Sequence, residues 1–201
     1  MSKVILITGA SSGIGLETAI YLAKKNFIVY GCARRLEKMK PIKNAGGYIF
    51  KLDITNESDI VNIVNLIIKN ERRIDVLWNN AGFGLWGAVE DISLERAKYQ
   101  FDVNLFGLAR ITKEVLPHMR KEKKGLIINT SSVGGRIYTP LGAWYHSTKH
   151  AIEGWSDCLA FELKKFGINV CLIQPGMIKS EFGNIMLENL ERNSKKSPYY
   201  L

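Results

Sequence analysis

Cysteine is scarce in this chain, with three in 201 residues. Cys32, Cys158 and Cys171 are odd in number and lack metal-ligand spacing, which excludes a disulfide framework and a zinc module. Free, buried thiols in a reducing cytoplasm are the expectation. Long apolar runs are missing as well. No stretch approaches the ~20 residues that a spanning helix needs. The apolar run at residues 4–7, behind Met1-Ser2-Lys3, is too short for a signal-peptide core. No membrane span is expected. Internal repeats and compositionally biased segments are absent, which argues against a solenoid or a disordered tail. Acidic residues are outnumbered, 19 against 28 Lys and Arg, for a net charge of +9. The basic residues are spread along the chain. The short groups Lys121-Glu122-Lys123-Lys124 and Lys195-Lys196 carry no aromatic interleaving and belong to no nucleic-acid module. The excess therefore reads as a field that attracts an anionic cofactor or substrate, with no nucleic-acid partner.

What is present is a chain 46% hydrophobic, enough for a substantial core, and its length favours one domain spanning 1–201. Residues 4–7 form a short continuous apolar run, as in a strand buried on both faces. Residues 27–32, 48–52, 74–78, 125–130 and 168–173 read as five more strands. Between them lie helical patterns: Ile14, Ala19, Leu22 and Ala23, then Ile60, Ile63, Val64, Ile67 and Ile68, a long helical region before residue 125, and residues 144–165. Strands alternating with helices imply an α/β, doubly wound parallel sheet of the Rossmann type, covered on both faces. Ligands of such sheets bind beyond the carboxyl ends of the strands. The informative residues are those that follow each strand.

After the first strand comes Thr8-Gly9-Ala10-Ser11-Ser12-Gly13-Ile14-Gly15. Gly9, Gly13 and Gly15 permit a tight turn and close approach of backbone to a phosphate, and the helix that follows offers unpaired N–H groups. The same residues match the G-x-S-x-G pattern of a hydrolase elbow, with Ser11 as nucleophile and His118, His146 or His150 available downstream. That rival fails on context, since no earlier loop exists to donate the second oxyanion N–H. The second strand ends in Ala33-Arg34-Arg35, two guanidinium groups where a carboxylate would hold a free ribose hydroxyl, which favours the 2′-phosphate of NADP. Asp53, after the third strand, suits either an adenine amino group or the cap of a helix starting near Asn56. Asn79-Asn80-Ala81-Gly82 follows the fourth strand, where small and amide residues admit a ligand and tie strand ends together.

Beyond the fifth strand stand Ser131 and Ser132. Tyr145 lies thirteen residues after Ser132, and Lys149 four further on, sharing a helical face with it. A free phenol has a pKa of about 10, too high for a base at neutral pH. A nearby ammonium favours the phenolate, so this pair suits proton transfer to or from an alcohol oxygen as hydride moves, with Ser132 bonding that oxygen.

Taken together, these residues resemble the short-chain dehydrogenase/reductase family from Val4 to about Ser180. The glycine motif, Asp53, Asn80-Ala81-Gly82, Ser132, Tyr145-His146-Ser147-Thr148-Lys149 and Pro175-Gly176 occur in family order and spacing. The resemblance implies a catalytic tetrad of Asn104, Ser132, Tyr145 and Lys149 in an NADP-dependent enzyme acting on CH–OH/C=O groups. Asn104 would hold a water that links the lysine to solvent; without the resemblance it reads as a structural polar residue inside a helix. Cofactor contacts are implied for Gly9, Ser11, Ser12, Gly13, Ile14, Gly15, Arg34, Arg35, Asp53, Ile54, Asn80, Ala81, Gly82, Tyr145, Lys149, Pro175, Gly176, Ile178 and Ser180. Ala33-Arg34-Arg35-Leu36-Glu37 and Glu162-Leu163-Lys164-Lys165-Phe166-Gly167-Ile168 look like the steroid- and retinol-dehydrogenase-like members. On the substrate side the resemblance points to Phe83, Leu85, Trp86, Tyr138, Trp144 and Met177, whose apolar bulk suits a hydrophobic carbonyl or alcohol.

Family chains continue past Ser180 through a helical lid into a seventh strand. Here residues 181–201 are expected to form part of that lid, and the last strand is missing. Self-association into a homo-oligomer through the uncovered edge is expected. The alternative is a truncated, non-turnover dinucleotide-binding protein, a redox sensor or an inactive remnant.

Overall fold

The computed structural model describes residues 2–178, 181–195 and 197–199. Six strands form one parallel sheet: β1 (Val4–Thr8), β2 (Ile28–Ala33), β3 (Tyr48–Lys51), β4 (Val76–Asn79), β5 (Gly125–Thr130) and β6 (Ile168–Ile173). Their spatial order is β3-β2-β1-β4-β5-β6, so the winding reverses between β1 and β4. That reversal opens the crevice in which doubly wound sheets bind ligands. The α/β doubly wound fold expected from the strand–helix alternation is the fold observed. β2 starts and ends one residue later than its apolar run suggested, and β4 starts two residues later, after a turn at Asp75.

All five residues of β1 are buried, because helices cover both faces of the sheet there. Val4 and Leu6 point into one apolar layer with Ile60, Val64, Ile111 and Val115. Ile5 and Ile7 point into the other, with Ala19, Ala23 and Val29. The two-residue alternation of a strand thus feeds two cores. Helix α1 (Gly13–Lys24) presents Gly15, Ala19 and Ala23 to the sheet, small residues that let its backbone come close. A short α2 (Lys40–Asn44) leads to β3, and α3 (Glu57–Glu71) follows it. Asn56 caps α3 by accepting from the Ser58 and Asp59 amides at 3.0 and 3.3 Å.

The long helical region is in three joined pieces: α4 (Leu94–Phe101), a π-helical turn (Asp102–Gly107) and α5 (Leu108–Glu122). Helix α6 (Ala143–Leu163) continues through a 3₁₀ turn to Gly167, which turns the chain into β6 at φ +68°. A Cβ at Gly167 would lie 2.5 Å from the Lys123 carbonyl oxygen, so only glycine fits that crossing. Helix α7 (Glu181–Ser194) returns across the sheet's carboxyl edge, and no helix among the described residues is long and apolar enough to cross a membrane.

The expectation of buried thiols holds for Cys32 and fails for Cys158 and Cys171, which are exposed. Cys158 lies on the outer side of α6. Cys171 shares a face of β6 with exposed Asn169, and β6 pairs only with β5 among the described residues.

Candidate active site

The loop after β1 is a tight glycine turn into α1. Gly9 (φ +67°) and Gly13 (φ +55°) hold conformations that side chains disfavour. A Cβ on Gly9 would lie 2.7 Å from the Ala81 Cα, and one on Gly15 would run into the Asn80 side-chain amide. The loop is therefore pressed against the segment after β4. Ser12 stands at the N-cap of α1 yet makes no capping bond, and no acidic residue sits in the first helical turn. The first amides of α1 therefore have no side-chain cap, and no carboxylate offsets their positive dipole end. The Ser12 hydroxyl instead accepts from the Arg35 guanidinium at 2.9 Å, and the Ser11 hydroxyl accepts from it at 3.3 Å. Among the described residues no histidine bonds Ser11, which removes the geometry of a hydrolase elbow.

Arg35 also pairs with Glu181 of α7 at 3.2 Å, and Lys38 pairs with the same carboxylate at 2.8 Å. Hydrogen bonds from Lys38 and Arg35 hold the Glu181 carboxyl below its ordinary range. Arg34 turns the other way and donates to the Tyr99 hydroxyl at 3.0 Å. Asp53 neither caps α3 nor stands free. Its carboxylate accepts from the Thr55 amide and hydroxyl at 3.0 and 2.8 Å, an Asx turn, and Asn56 does the capping. Burial acts to raise the Asp53 carboxyl, but the Thr55 bonds and the Arg34 charge bring it below its usual value.

Asn80 ties the strand ends together, as its position suggests. Its amide donates to the Thr8 and Gly9 carbonyls at 3.3 and 3.2 Å, and its oxygen accepts from the Thr130 hydroxyl at 3.4 Å. A buried polar layer beneath was not legible in sequence. Asn79 donates to Thr112 and to Asn129, and Asn129 to Ser156, each at 2.9 Å. This chain of amides fixes β4, β5, α5 and α6 relative to one another.

Tyr145, Ser132 and Lys149 come together as expected. Tyr145 is buried in the first turn of α6, and Lys149 lies one turn on. The Lys149 Nζ lies 5.8 Å from the Tyr145 ring centroid and donates to the Thr130 carbonyl at 2.8 Å. The depressed phenol expected from a neighbouring ammonium is not what the protein alone produces. Burial pushes the Tyr145 phenol up, and the hydrogen bond with Ser132 only partly opposes it. Burial also pushes the Lys149 ammonium down to about 8, with the Glu153 charge opposing. The Ser132 hydroxyl accepts from the Gly134 amide at 3.0 Å, which aims its oxygen.

Asn104 sits in the π-helical turn, where helices commonly widen at functional positions. Its amide donates to the Phe83 carbonyl at 2.9 Å and to Thr148 at 3.1 Å, and its oxygen accepts from the Phe83 amide at 3.0 Å. Both amide hydrogens are thus used in fastening the segment after β4 to α6, and one lone pair of Oδ1 is all its side chain can offer a water. Through these bonds the Asn104 side chain braces the π-helical turn against its two neighbours.

On the apolar side, Trp86 packs on Tyr145 with ring centroids 4.4 Å apart. Phe182 of α7 packs against both, at 6.2 Å from Trp86 and 5.7 Å from Tyr145. Exposed Tyr138 lines an open groove of about 1050 Å³ with Leu141, His146, Val89 and Tyr199. The other substrate-side expectations do not meet there. Trp144 faces a separate apolar hollow with Leu94, Ala97 and Phe101, because adjacent helical residues point about 100° apart. Met177 is fully exposed and Ile178 half exposed. The Pro175 carbonyl accepts from the Val133 amide at 3.0 Å, which brings Pro175-Gly176 beside Ser132. Ser180 lies outside the described residues. Glu181 and Phe182 had no signal in the sequence, since their partners are remote along the chain.

The doubly wound sheet carries this cluster at its carboxyl edge, where dinucleotide-binding folds place their ligands. The chain belongs to the short-chain dehydrogenase/reductase family: residues 3–190 match its family model, described as short chain dehydrogenase. It is 44% identical over 181 residues to the 3-ketodihydrosphingosine reductase of Bacteroides thetaiotaomicron, covering 90% of this chain and 65% of that protein. It is 36% identical over 195 residues to retinol dehydrogenase 8 of Homo sapiens, covering 92% of this chain and 62% of the relative. The chain thus spans a little under two thirds of the length of these relatives. Among solved structures it resembles a variant of actinorhodin polyketide ketoreductase with NADPH, at 34% identity and a TM-score of 0.85, covering 89% of this chain and 72% of that one.

Proposed function

We propose that this chain transfers hydride between NADP(H) and a carbonyl or alcohol on a hydrophobic substrate, with Tyr145 as proton donor and acceptor. The observation that carries the reading is the Tyr145–Ser132–Lys149 cluster, its tyrosine and lysine buried, at the same carboxyl edge of the sheet as the uncapped N-terminus of α1. The residues present fit a phosphorylated dinucleotide. The α1 amides, Ser11 and Ser12 would hold the pyrophosphate side, and the positive charge of Arg35 and Arg34 favours an added 2′-phosphate. The cradle formed by Gly9 and Gly15 against Asn80 and Ala81 suits close backbone approach. Asp53 and Ile54, with Asn80 to Gly82, would hold the adenosine and ribose side. Tyr145 and Lys149, with Pro175, Gly176 and Ile178, would hold the nicotinamide side. A relative solved with NADPH supports the same assignment.

When bound, the nicotinamide supplies or accepts the hydride. The protein supplies the rest. Ser132 donates to the substrate oxygen, and Tyr145 gives its phenolic proton to that oxygen in reduction or takes it back in oxidation. Lys149 would hold the ribose hydroxyls, and its charge lowers the cost of the phenolate that remains. Trp86 and Phe182 cover the tyrosine and exclude water, so α7 acts as part of a substrate lid. The exposed rings of Tyr138 and Tyr199 suit an apolar substrate. The named relatives, a ketodihydrosphingosine reductase, a retinol dehydrogenase and a polyketide ketoreductase, support that class.

Calorimetric titration with NADPH, followed by a screen of apolar ketones under NADPH, tests this. Binding and turnover are expected. Binding without turnover of any substrate would favour a non-turnover dinucleotide-binding protein, and no binding would end the reading.

A further inference from the structure

Glu153 is a buried carboxylate that the mechanism above does not use. It lies on α6 four residues beyond Lys149, on the face that carries Tyr145 and Lys149. It is 4% exposed. Its Oε2 accepts from Gln174, just after β6, at 2.8 Å and from Arg136 at 2.9 Å. Arg136 is 60% exposed, so water screens its charge, while Glu153 keeps its own inside the protein. Among the described residues the other oxygen, Oε1, has no partner and neither has the buried Ser131 hydroxyl; both border the space where Gly135 lacks a side chain. A buried charge left incompletely paired is costly, and such a group persists where its field is used.

On α6, Tyr145 and Glu153 act with Lys149; from β5 the Thr130 carbonyl accepts from its ammonium; Ser132 bonds Tyr145. Arg136 and Gln174 act on Glu153 from the turn after β5 and from the end of β6. Glu153 is the charge that opposes the effect of burial on Lys149.

We propose that Glu153 is a positioning residue whose buried carboxylate, clamped by Arg136 and Gln174, keeps Lys149 an ammonium beneath Tyr145. The proposal rests on the reading of Lys149 as the lysine that serves Tyr145. It is distinct from a purely structural clamp, because Glu153→Gln keeps the hydrogen-bonding shape and removes only the charge, whereas Glu153→Asp keeps the charge.

The test is an NMR titration of ¹³C-labelled lysine side chains, the Lys149 signal being assigned by its loss in Lys149→Arg. The alkaline limb of carbonyl reduction is measured alongside. In Glu153→Gln the Lys149 midpoint should fall by about half a unit or more, a threefold loss of ammonium relative to free amine at fixed pH. The alkaline limb should fall with it, and Glu153→Asp should restore both. A Lys149 midpoint unmoved in Glu153→Gln, or Asp behaving as Gln does, would overturn the proposal. A shifted midpoint in a protein that turns over no ketone would support the Glu153–Lys149 coupling and sink the oxidoreductase reading instead.

Discussion

The Lys149 ammonium donates 2.8 Å to the carbonyl of Thr130, the last residue of β5, while its Nζ stays 5.8 Å from the centre of the Tyr145 ring. Strand end and helix are thus pinned together at the point where Tyr145 enters the crevice. With that bond in place, two donors of the ammonium remain for ligand hydroxyls. The burial that raises Tyr145 keeps the phenol protonated, so its proton is in place for reduction, while making it a weaker acid.

Removing the phenolic oxygen isolates that role. Tyr145→Phe should lower turnover by about 10²–10⁴-fold and leave NADPH affinity within a few-fold. Lys149→Ala should weaken both. Steady-state kinetics with calorimetry separates the two effects, and a Tyr145→Phe variant that keeps most of its activity would rule out the mechanism.

The pH profile should follow the lysine. Burial holds the folded Lys149 down at about 8, so its ammonium is present below that pH and lost above it. Reduction, which also needs the protonated phenol, should therefore be flat toward neutral pH and fall as pH rises through about 8. An alkaline limb near the ordinary lysine value of ~10.4 would mean that Lys149 is not desolvated in the working enzyme.

Cofactor choice should depend unequally on the two arginines. Arg35 lies on the glycine loop through Ser11 and Ser12, whereas Arg34 is engaged with Tyr99. NADPH should bind at least about tenfold tighter than NADH, a difference of about 1.4 kcal/mol. Arg35→Ala should erase more of that preference than Arg34→Ala. Equal calorimetric affinities for the two cofactors in the native protein would remove the assignment.

Glu181 competes for the same cations. Because it pairs with both Arg35 and Lys38, Glu181→Gln should tighten NADPH about two- to fivefold, as expected for exposed pairs. NADH should be unaffected. The gain should shrink at high salt, where exposed pairs are screened. A titration series at two ionic strengths reads this out, and weaker NADPH binding in the variant would mean that Glu181 helps to organise the site.

The glycine loop should not tolerate a side chain. Gly9→Ala places a methyl group 2.7 Å from the Ala81 backbone at φ +67°. The expected cost is about 1–3 kcal/mol, seen as a lowered melting temperature together with weakened cofactor binding. Unchanged stability would show that the segment after β4 yields easily.

The inner strands were legible because a strand buried on both faces must be a short apolar run, and β1 shows this in all five of its residues; the edge strands β3 and β6 are partly exposed yet keep apolar residues in each run. Tyr145 and Lys149 were legible because a four-residue spacing on a helix sets two side chains on one face whatever surrounds them. The glycines at 9, 13 and 15 announced a close approach. Other expectations rested on distances along the chain that carry no such rule. Trp144 and Trp86 both looked like substrate-side residues; packing sent Trp86 onto Tyr145 and Trp144 into a hollow against α4. Asp53 could serve adenine or cap a helix; Asn56 took the cap, and the Asp53 Oδ1 closed a turn on Thr55 instead.

Periodicity and turn chemistry, which are local, thus determined the order of strands and helices and the residues at the strand ends. Tertiary structure alone decided that Glu181 reaches Arg35 across 146 residues, and that Phe182 lies over Tyr145. It also decided that burial, more than the neighbouring ammonium, sets the Tyr145 phenol. The physical reason is that desolvation and long-range ion pairs depend on which surfaces meet when the chain closes, and no spacing along one segment encodes that meeting.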